Sequence, residues 1–136
     1  MTSDHESYLA DRDSAEIAKR SYRAYVDKDR AAMERLIAED FHFTSPLDNR
    51  IDRMTYFERC WPNCRWIGGF DFIAVVPSAD RVYVTYVGHS DRGRSFRNTE
   101  VLTIRDGKIV DAEVYFGWNV PHSAPPGGFV EETARS

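Results

Sequence analysis

A carboxylic acid and an amide, Glu100 and Asn98, stand two residues apart in the strand-forming run FRNTEVLTIRDGKIVDAEVYFGW, residues 96–118. What they can do depends on the face they occupy. The run divides at Asp106-Gly107 into the two strands of a β-hairpin, and the length of the loop sets the register. A two-residue turn would put Glu100 directly opposite Glu113, a like-charge pair that costs stability. A three-residue loop, Arg105-Asp106-Gly107 with Gly107 left-handed, slips the pairing by one and turns every side chain to the other face. Asn98, Glu100, Leu102 and Ile104 then share a face with Val110, Ala112, Val114, Phe116 and Trp118. Arg97, Thr99, Val101, Thr103, Ile109, Asp111, Glu113 and Tyr115 take the opposite one. The second register is the expected one. It embeds one carboxyl and one amide in an apolar surface, where burial disfavours the ionised acid and lifts its pKa toward the range useful for proton transfer. The structural alternative is a salt link from Glu100 to Arg94 or Arg97, but its neighbours on the expected face are not cations. Asn98 would hold a substrate oxygen or simply satisfy Glu100.

The remaining reactive residues give weaker signals. Tyr22 offers a phenol on the core-facing side of a helix, a natural partner for a carboxylic acid, although most buried tyrosines are structural. His42 alternates with Phe41 and Phe43 and is expected on the other face; His89 shares parity with Tyr83, Thr85 and Val87; His122 lies near the end. None has a partner at metal-ligand spacing, so no metal is expected. Cys60 and Cys64, in CWPNC, make neither a redox pair nor half of a visible zinc site. Phe57, Trp61, Phe116 and Trp118 suit the lining of an apolar pocket, with Trp118 the strongest of them, although such stripes more often fill a core. No Gly-rich phosphate loop or G-x-S-x-G elbow is present.

Behind these residues the chain reads as helices followed by strands. Residues 1–12 are expected to be a loose leader. Asp13 and Glu16 form a capping box for a helix to about Val26, and Asp29 caps a short second helix carrying Met33, Leu36 and Ile37. Phe41, Phe43 and Ser45 alternate as a strand that Pro46 ends, and Leu47 to Ile51 read as a polar loop. Asp52 caps a third helix carrying Met54, Phe57 and Trp61, stopped at Pro62. After Gly68-Gly69 a meander of strands runs to Trp118, and residues 121–136 form a Pro/Gly-rich tail that could fold over an opening.

The 136 residues suit one domain, here residues 13–120. A net charge of −4 leaves no basic excess to displace counterions, which argues against a nucleic-acid partner. No apolar run reaches membrane-spanning length, and the polar, acidic start is unlike a targeting peptide. With two cysteines and no disulfide framework, a reduced cytoplasmic protein is the plain reading.

The order of helix, short helix, AEDFHFTSP, helix and a meander ending in EVLTIRDGKIVDAEVYFGW resembles the nuclear transport factor two-like cone fold. Within it the nearest likeness is to the polyketide cyclase (SnoaL-like) and ketosteroid isomerase-like branch, over roughly Ser14 to Val120. The resemblance implies an α+β cone: a strongly curved antiparallel sheet with three helices packed on its concave face, a tapered cavity between them, and a homodimer formed through the sheet's outer face. Members include isomerases, cyclases, dehydratases, epoxide hydrolases and non-catalytic binders, so the fold alone licenses no reaction. The isomerase general base, just before a proline after the first strand, corresponds to Ser45, and a serine cannot abstract a carbon-bound proton unaided. The isomerase's protonated acid corresponds to Glu100, and its tyrosine falls at Ser21 or Tyr22. Asp48, just after Pro46, would replace the missing base, though an Asp in PLDNR more often stabilises a turn.

The expectation is therefore a pocket for a hydrophobic, oxygen-bearing small molecule that calls for no cofactor. Glu100 would be acid or base, Tyr22 and Asn98 hydrogen-bond donors, and Asp48 an auxiliary base. Ser45, Phe57, Trp61, Val114, Phe116 and Trp118 would line it. The alternatives are a non-catalytic binder, or a structural dimer whose cone is filled by its own aromatics.

Overall fold

The computed structural model describes the backbone of residues 3–131 and the side chains of residues 11–131. Helix α1 runs Ser3–Asp27. No glycine or proline interrupts that stretch, so the helix passes straight through Asp13. The expected capping box there does not form, and the expected leader is helical from Ser3. Helix α2 (Arg30–Leu36) is capped as expected, the Asp29 carboxylate accepting from the Ala32 amide. Strand β1 (Ile37–Ser45) turns at Pro46-Leu47 into a short strand β2 (Asp48–Asp52), where a polar loop was expected. The two pair antiparallel, with Ser45 opposite Asp48.

Asp52 caps α3 (Arg53–Arg59) through the Thr55 amide. That helix ends before Trp61, which opens a 3-10 turn (Trp61–Trp66) with Pro62 near its start. Four long strands follow: β3 (Ile67–Ser78), β4 (Arg81–Ser90), β5 (Ser95–Arg105) and β6 (Lys108–Val120). Residues 121–131 are irregular.

Among the described residues, three α-helices and a six-stranded, curved, unclosed sheet make an α+β cone. The strand order is β2-β1-β6-β5-β4-β3. One pair departs from the antiparallel expectation: β1 runs parallel to β6, joining the first strand of the chain to the last. Parallel neighbours need a long crossover, and here all of β2 to β5 lies between them. Phe41, Val82 and Val84 are the most deeply buried large side chains. Tyr22 of α1 and Tyr56 and Phe57 of α3 bury against the same core.

The β5–β6 hairpin reaches its register by a different route from the one expected. Asp106 and Gly107 both have positive φ, at 52° and 76°, and form a two-residue turn with Arg105 opposite Lys108. Ile104 then pairs with Ile109 but Thr103 with Asp111, so Val110 is the extra residue of a bulge. Beyond it Glu100 faces Val114 and Asn98 faces Phe116, so the expected sharing of a face holds, with each partner two residues beyond the one a three-residue loop would pair. The bulge also exchanges two side chains. Ile109 points inward and is buried, whereas Val110 joins Asp111 and Glu113 in an outer groove.

A second irregularity lies at the far end of the same pair, where Phe96 faces Asn119 but Asn98 faces Phe116. There a Cβ on Gly117 would meet the Arg97 carbonyl oxygen at 2.2 Å. The backbone cannot yield as a flexible side chain would, so this approach requires glycine. Gly117→Ala is expected to destabilise the fold by about 1–3 kcal/mol, the usual range for overpacking, as read from denaturant midpoints with an unchanged m-value.

Candidate functional site

The concave side of the sheet, α1 and the segment from β1 to the 3-10 turn enclose a cavity of about 300 Å³. Most of its wall is apolar, with Phe41, Phe43, Leu102 and Val114 prominent. Two polar groups interrupt that wall.

The first centres on Glu100. Strand alternation brings Tyr86, Asn98 and Glu100 of β4 and β5 to the inner face, and helical periodicity brings Tyr22 of α1 over them. The Tyr86 hydroxyl donates to Glu100 Oε2 at 2.7 Å, and Asn98 Nδ2 donates to the Tyr86 oxygen at 3.3 Å. Asn98 Oδ1 in turn accepts from the Gly117 amide at 3.2 Å. No arginine or lysine side chain is bonded to Glu100 among the described residues. It is partly buried and lines the cavity. Desolvation therefore pushes its pKa up, against smaller opposing effects of the Tyr86 and Tyr22 hydroxyls. Burial, followed by the nearby Glu100 charge, pushes both tyrosines well above the usual phenol range.

Tyr22 has two notable properties. Its ring is fixed by edge-on contacts with Phe70, Phe72 and Tyr86 at centroid distances of 5.0, 5.3 and 5.3 Å. Its hydroxyl is buried and has no hydrogen-bond partner among the described residues. It lies beside Glu100: the hydroxyl lowers that acid's pKa and the Glu100 charge raises the tyrosine's, although the two stop short of a full hydrogen bond. A buried hydroxyl left unpaired costs about 1–3 kcal/mol, and this one lies on the cavity wall.

The second polar group centres on Asp48, whose side chain is only 8% exposed. Arg59 Nε pairs with its Oδ1, and the Ser45 hydroxyl donates to its Oδ2 at 2.9 Å. Cys60 Sγ approaches the same oxygen at 3.9 Å. Burial, aided by the Asp48 charge, pushes the Cys60 thiol up to about 11, which keeps it a thiol at neutral pH. Asp48 is thus more than a turn residue: it is a carboxylate on the cavity wall, held by a cation and a hydroxyl.

Of the residues singled out in the sequence, Glu100, Tyr22, Asp48, Asn98, Ser45, Val114 and Phe116 line this cavity. Phe57, Trp61 and Trp118 do not. Phe57 is buried beneath the guanidinium groups of Arg30 and Arg53, 4.7 and 5.3 Å from its centroid. Trp61 is buried edge-on against Tyr25. Trp118, half-exposed, has Arg97 over its ring and lines a separate groove that shares Phe96, Asn98 and Phe116 with the cavity. The structure adds Tyr86, Arg59 and Gly117. Tyr86 was legible in the alternation of Val82, Val84 and Tyr86 along β4; Arg59 and Gly117 depend on contacts between elements.

The described histidines lie away from the cavity. His42 joins Arg50 and Asp111 on the outer face. His89 bridges Ser95 and Asp71 on that face, at 2.8 and 2.7 Å. His122 packs near Trp118. Among the described residues no three His, Cys, Asp or Glu side chains are grouped to hold a metal ion, and no helix is long and apolar enough to cross a membrane.

Residues 18–112 match the family model described as the SnoaL-like domain. No curated protein sequence gives a significant match. Among solved structures, a candidate ketosteroid isomerase from Kribbella flavida superposes with a TM-score of 0.70 at 14% identity, over 91% of this chain and 92% of that one. An LEH-like epoxide hydrolase from M. tuberculosis gives 0.68 at 15% identity, over 79% and 85%. IdmH, a candidate polyketide cyclase from Streptomyces antibioticus, gives 0.62 at 19% identity, over 74% and 89%. At these identities the likeness is one of fold.

The Glu100 environment fixes the sign of a pH effect. A carboxyl whose folded pKa exceeds its unfolded value, about 4.3, holds its proton longer in the folded state. Folded stability is then lost as pH rises from that value through the folded pKa, by about 1.4 kcal/mol per unit of elevation. Glu100→Gln removes the charge and keeps an oxygen for Tyr86. The variant is expected to gain thermal stability relative to the parent between acid and neutral pH. Melting curves at pH 4 and pH 7.5 that show the same difference would exclude this account.

Proposed function

The chain belongs to the SnoaL-like domain family, and from that premise we propose that its cavity takes a hydrophobic, oxygen-bearing small molecule and that Glu100 acts on it as an acid. The observation that carries the reading is a partly buried carboxyl whose ionised form is disfavoured by desolvation, lining a cavity beside the buried hydroxyl of Tyr22. A polyketide-, terpenoid- or steroid-like ligand suits the apolar wall, its oxygen lying against Tyr22 and Glu100. Neutral donors in a site shielded from water stabilise charge that develops on an oxygen during reaction.

The proton must come from one group and another must leave for a second. Glu100 supplies the first, to the substrate oxygen. Asp48, held as an acceptor by Arg59 and Ser45, takes the second from carbon or from a water. Ser45 itself acts only as a donor that orients Asp48. Isomerisation, cyclisation and hydrolysis all need this pairing of acid and base. The related structures named as isomerase, cyclase and epoxide hydrolase fall in those classes. The reading includes a homodimer packed through the outer sheet face, where Val76, Tyr83 and Tyr115 stand exposed. A monomeric mass in light scattering would remove that part.

The test is a screen of apolar ketones, epoxides and lactones for saturable thermal shifts, followed by turnover of those that bind. Glu100→Gln is expected to abolish turnover while ligand affinity stays within about tenfold. Undiminished turnover would remove Glu100 from the chemistry. Binding with no product from any of these classes would leave a carrier, and absence of any saturable shift would sink the ligand site itself.

A further inference from the structure

The hydrogen bonds around Glu100 have a direction that can be read from chemistry alone. The Gly117 amide can only donate, so the Asn98 atom facing it must be the carbonyl oxygen. The Asn98 NH₂ group therefore faces Tyr86, and can only donate to the phenol oxygen. Tyr86 has one proton and no acceptor on the Asn98 side, so that proton goes to Glu100 Oε2. An ordinary asparagine could be flipped without penalty; this one is locked by a backbone N–H whose position follows from the close approach of Gly117 to Arg97.

We propose that Asn98 is a positioning residue which fixes the direction of this chain, so that Tyr86 always donates to Glu100 Oε2 and any proton the carboxyl itself carries resides on Oε1. A proton on Oε2 would point at an oxygen already committed as a donor and would strand the Tyr86 hydrogen. Oε1 is then the oxygen that meets a ligand, with its proton outward. The inference deepens the acid role given to Glu100 and rests on that reading for its catalytic meaning, but the polarity itself exists in the protein without substrate. It also assigns Gly117 of β6 as the source of the polarity. A displacement of β6 at Gly117 would be transmitted to the acid through three hydrogen bonds.

The experiment is a side-chain carboxyl ¹³C titration of the full chain without ligand, with the Glu100 signal identified by its loss in Glu100→Gln. Asn98→Asp keeps the shape but replaces the donor by an acceptor, which captures the Tyr86 proton. Glu100 should then titrate higher by about one unit or more, as expected when a hydrogen bond to the charged form is withdrawn. A new negative charge would raise it through space as well, so the measurement is repeated in Tyr86→Phe. The rise is expected to be much smaller there. Equal rises in the two backgrounds, or no rise, would overturn the proposal. If Asn98→Asp does not fold, Asn98→Ala completes the same cycle: a smaller rise, absent with Tyr86→Phe, supports the role, and any other result overturns it. None of these readouts uses turnover, so failure of the catalytic reading would leave them standing, and their failure would leave Glu100 a candidate acid.

Discussion

The register of the β5–β6 hairpin is the constraint on which everything else in this molecule depends. A slip by one residue would present Arg97, Thr99 and Val101 to the cavity and bury nothing that can move a proton. The Asp106-Gly107 turn would by itself select the wrong partners, setting Glu100 against Glu113. The bulge at Val110 restores the pairing with Val114 within a few residues of the turn. The choice is energetic as well as geometric: it separates the two carboxylates to opposite faces and seats Ile109, Leu102 and Ala112 in the core. The acid is therefore buried because its strand has no better alternative.

Given that register, aromatic packing decides which residues can serve the cavity. Tyr22 is gripped on its edges by Phe70, Phe72 and Tyr86, so its hydroxyl is aimed by the core and not by a hydrogen bond. Phe57 and Trp61 have the opposite fate. Both belong to the segment between β2 and β3, but Phe57 is turned toward Arg30 and Arg53 and Trp61 toward Tyr25, behind the wall. The cone is thus filled by its own aromatics on the helix side and left open along the sheet.

This contrast shows what the sequence can and cannot express. Alternation along β5 and β6 identified Asn98, Glu100, Val114 and Phe116 as a set, because a period of two and a like-charge clash are local properties. The helical caps at Asp29 and Asp52 were legible for the same reason. The length of α1 was misjudged because a plausible cap at Asp13 outweighed the absence of any helix breaker before it. β2 escaped notice because its five residues carry no alternation of their own and are made a strand by β1. The parallel pairing of β1 with β6 has no local signature at all. Aromatic residues were hardest to place: apolar type says that a side chain is buried, but whether against a cavity or behind its wall is decided by elements distant in sequence.

The two carboxylates of the cavity wall represent opposite solutions to the same electrostatic problem. Asp48 is compensated in full, by a guanidinium on one oxygen and a hydroxyl on the other, so its charge is supported by the fold. Glu100 is bonded to no cation among the described residues: the Tyr86 hydroxyl donates to it, and the Tyr22 hydroxyl stands beside it short of a full hydrogen bond. If stability alone governed this surface, an apolar residue in place of Glu100 would serve better, since leaving buried polar groups unmatched lowers stability without improving packing. The compensated site could be explained as a structural clasp between β2 and α3. The uncompensated one has no clasp of that kind, and it lines the cavity. That asymmetry supports the proposed ligand role of Glu100 over that of a polar residue caught in a core.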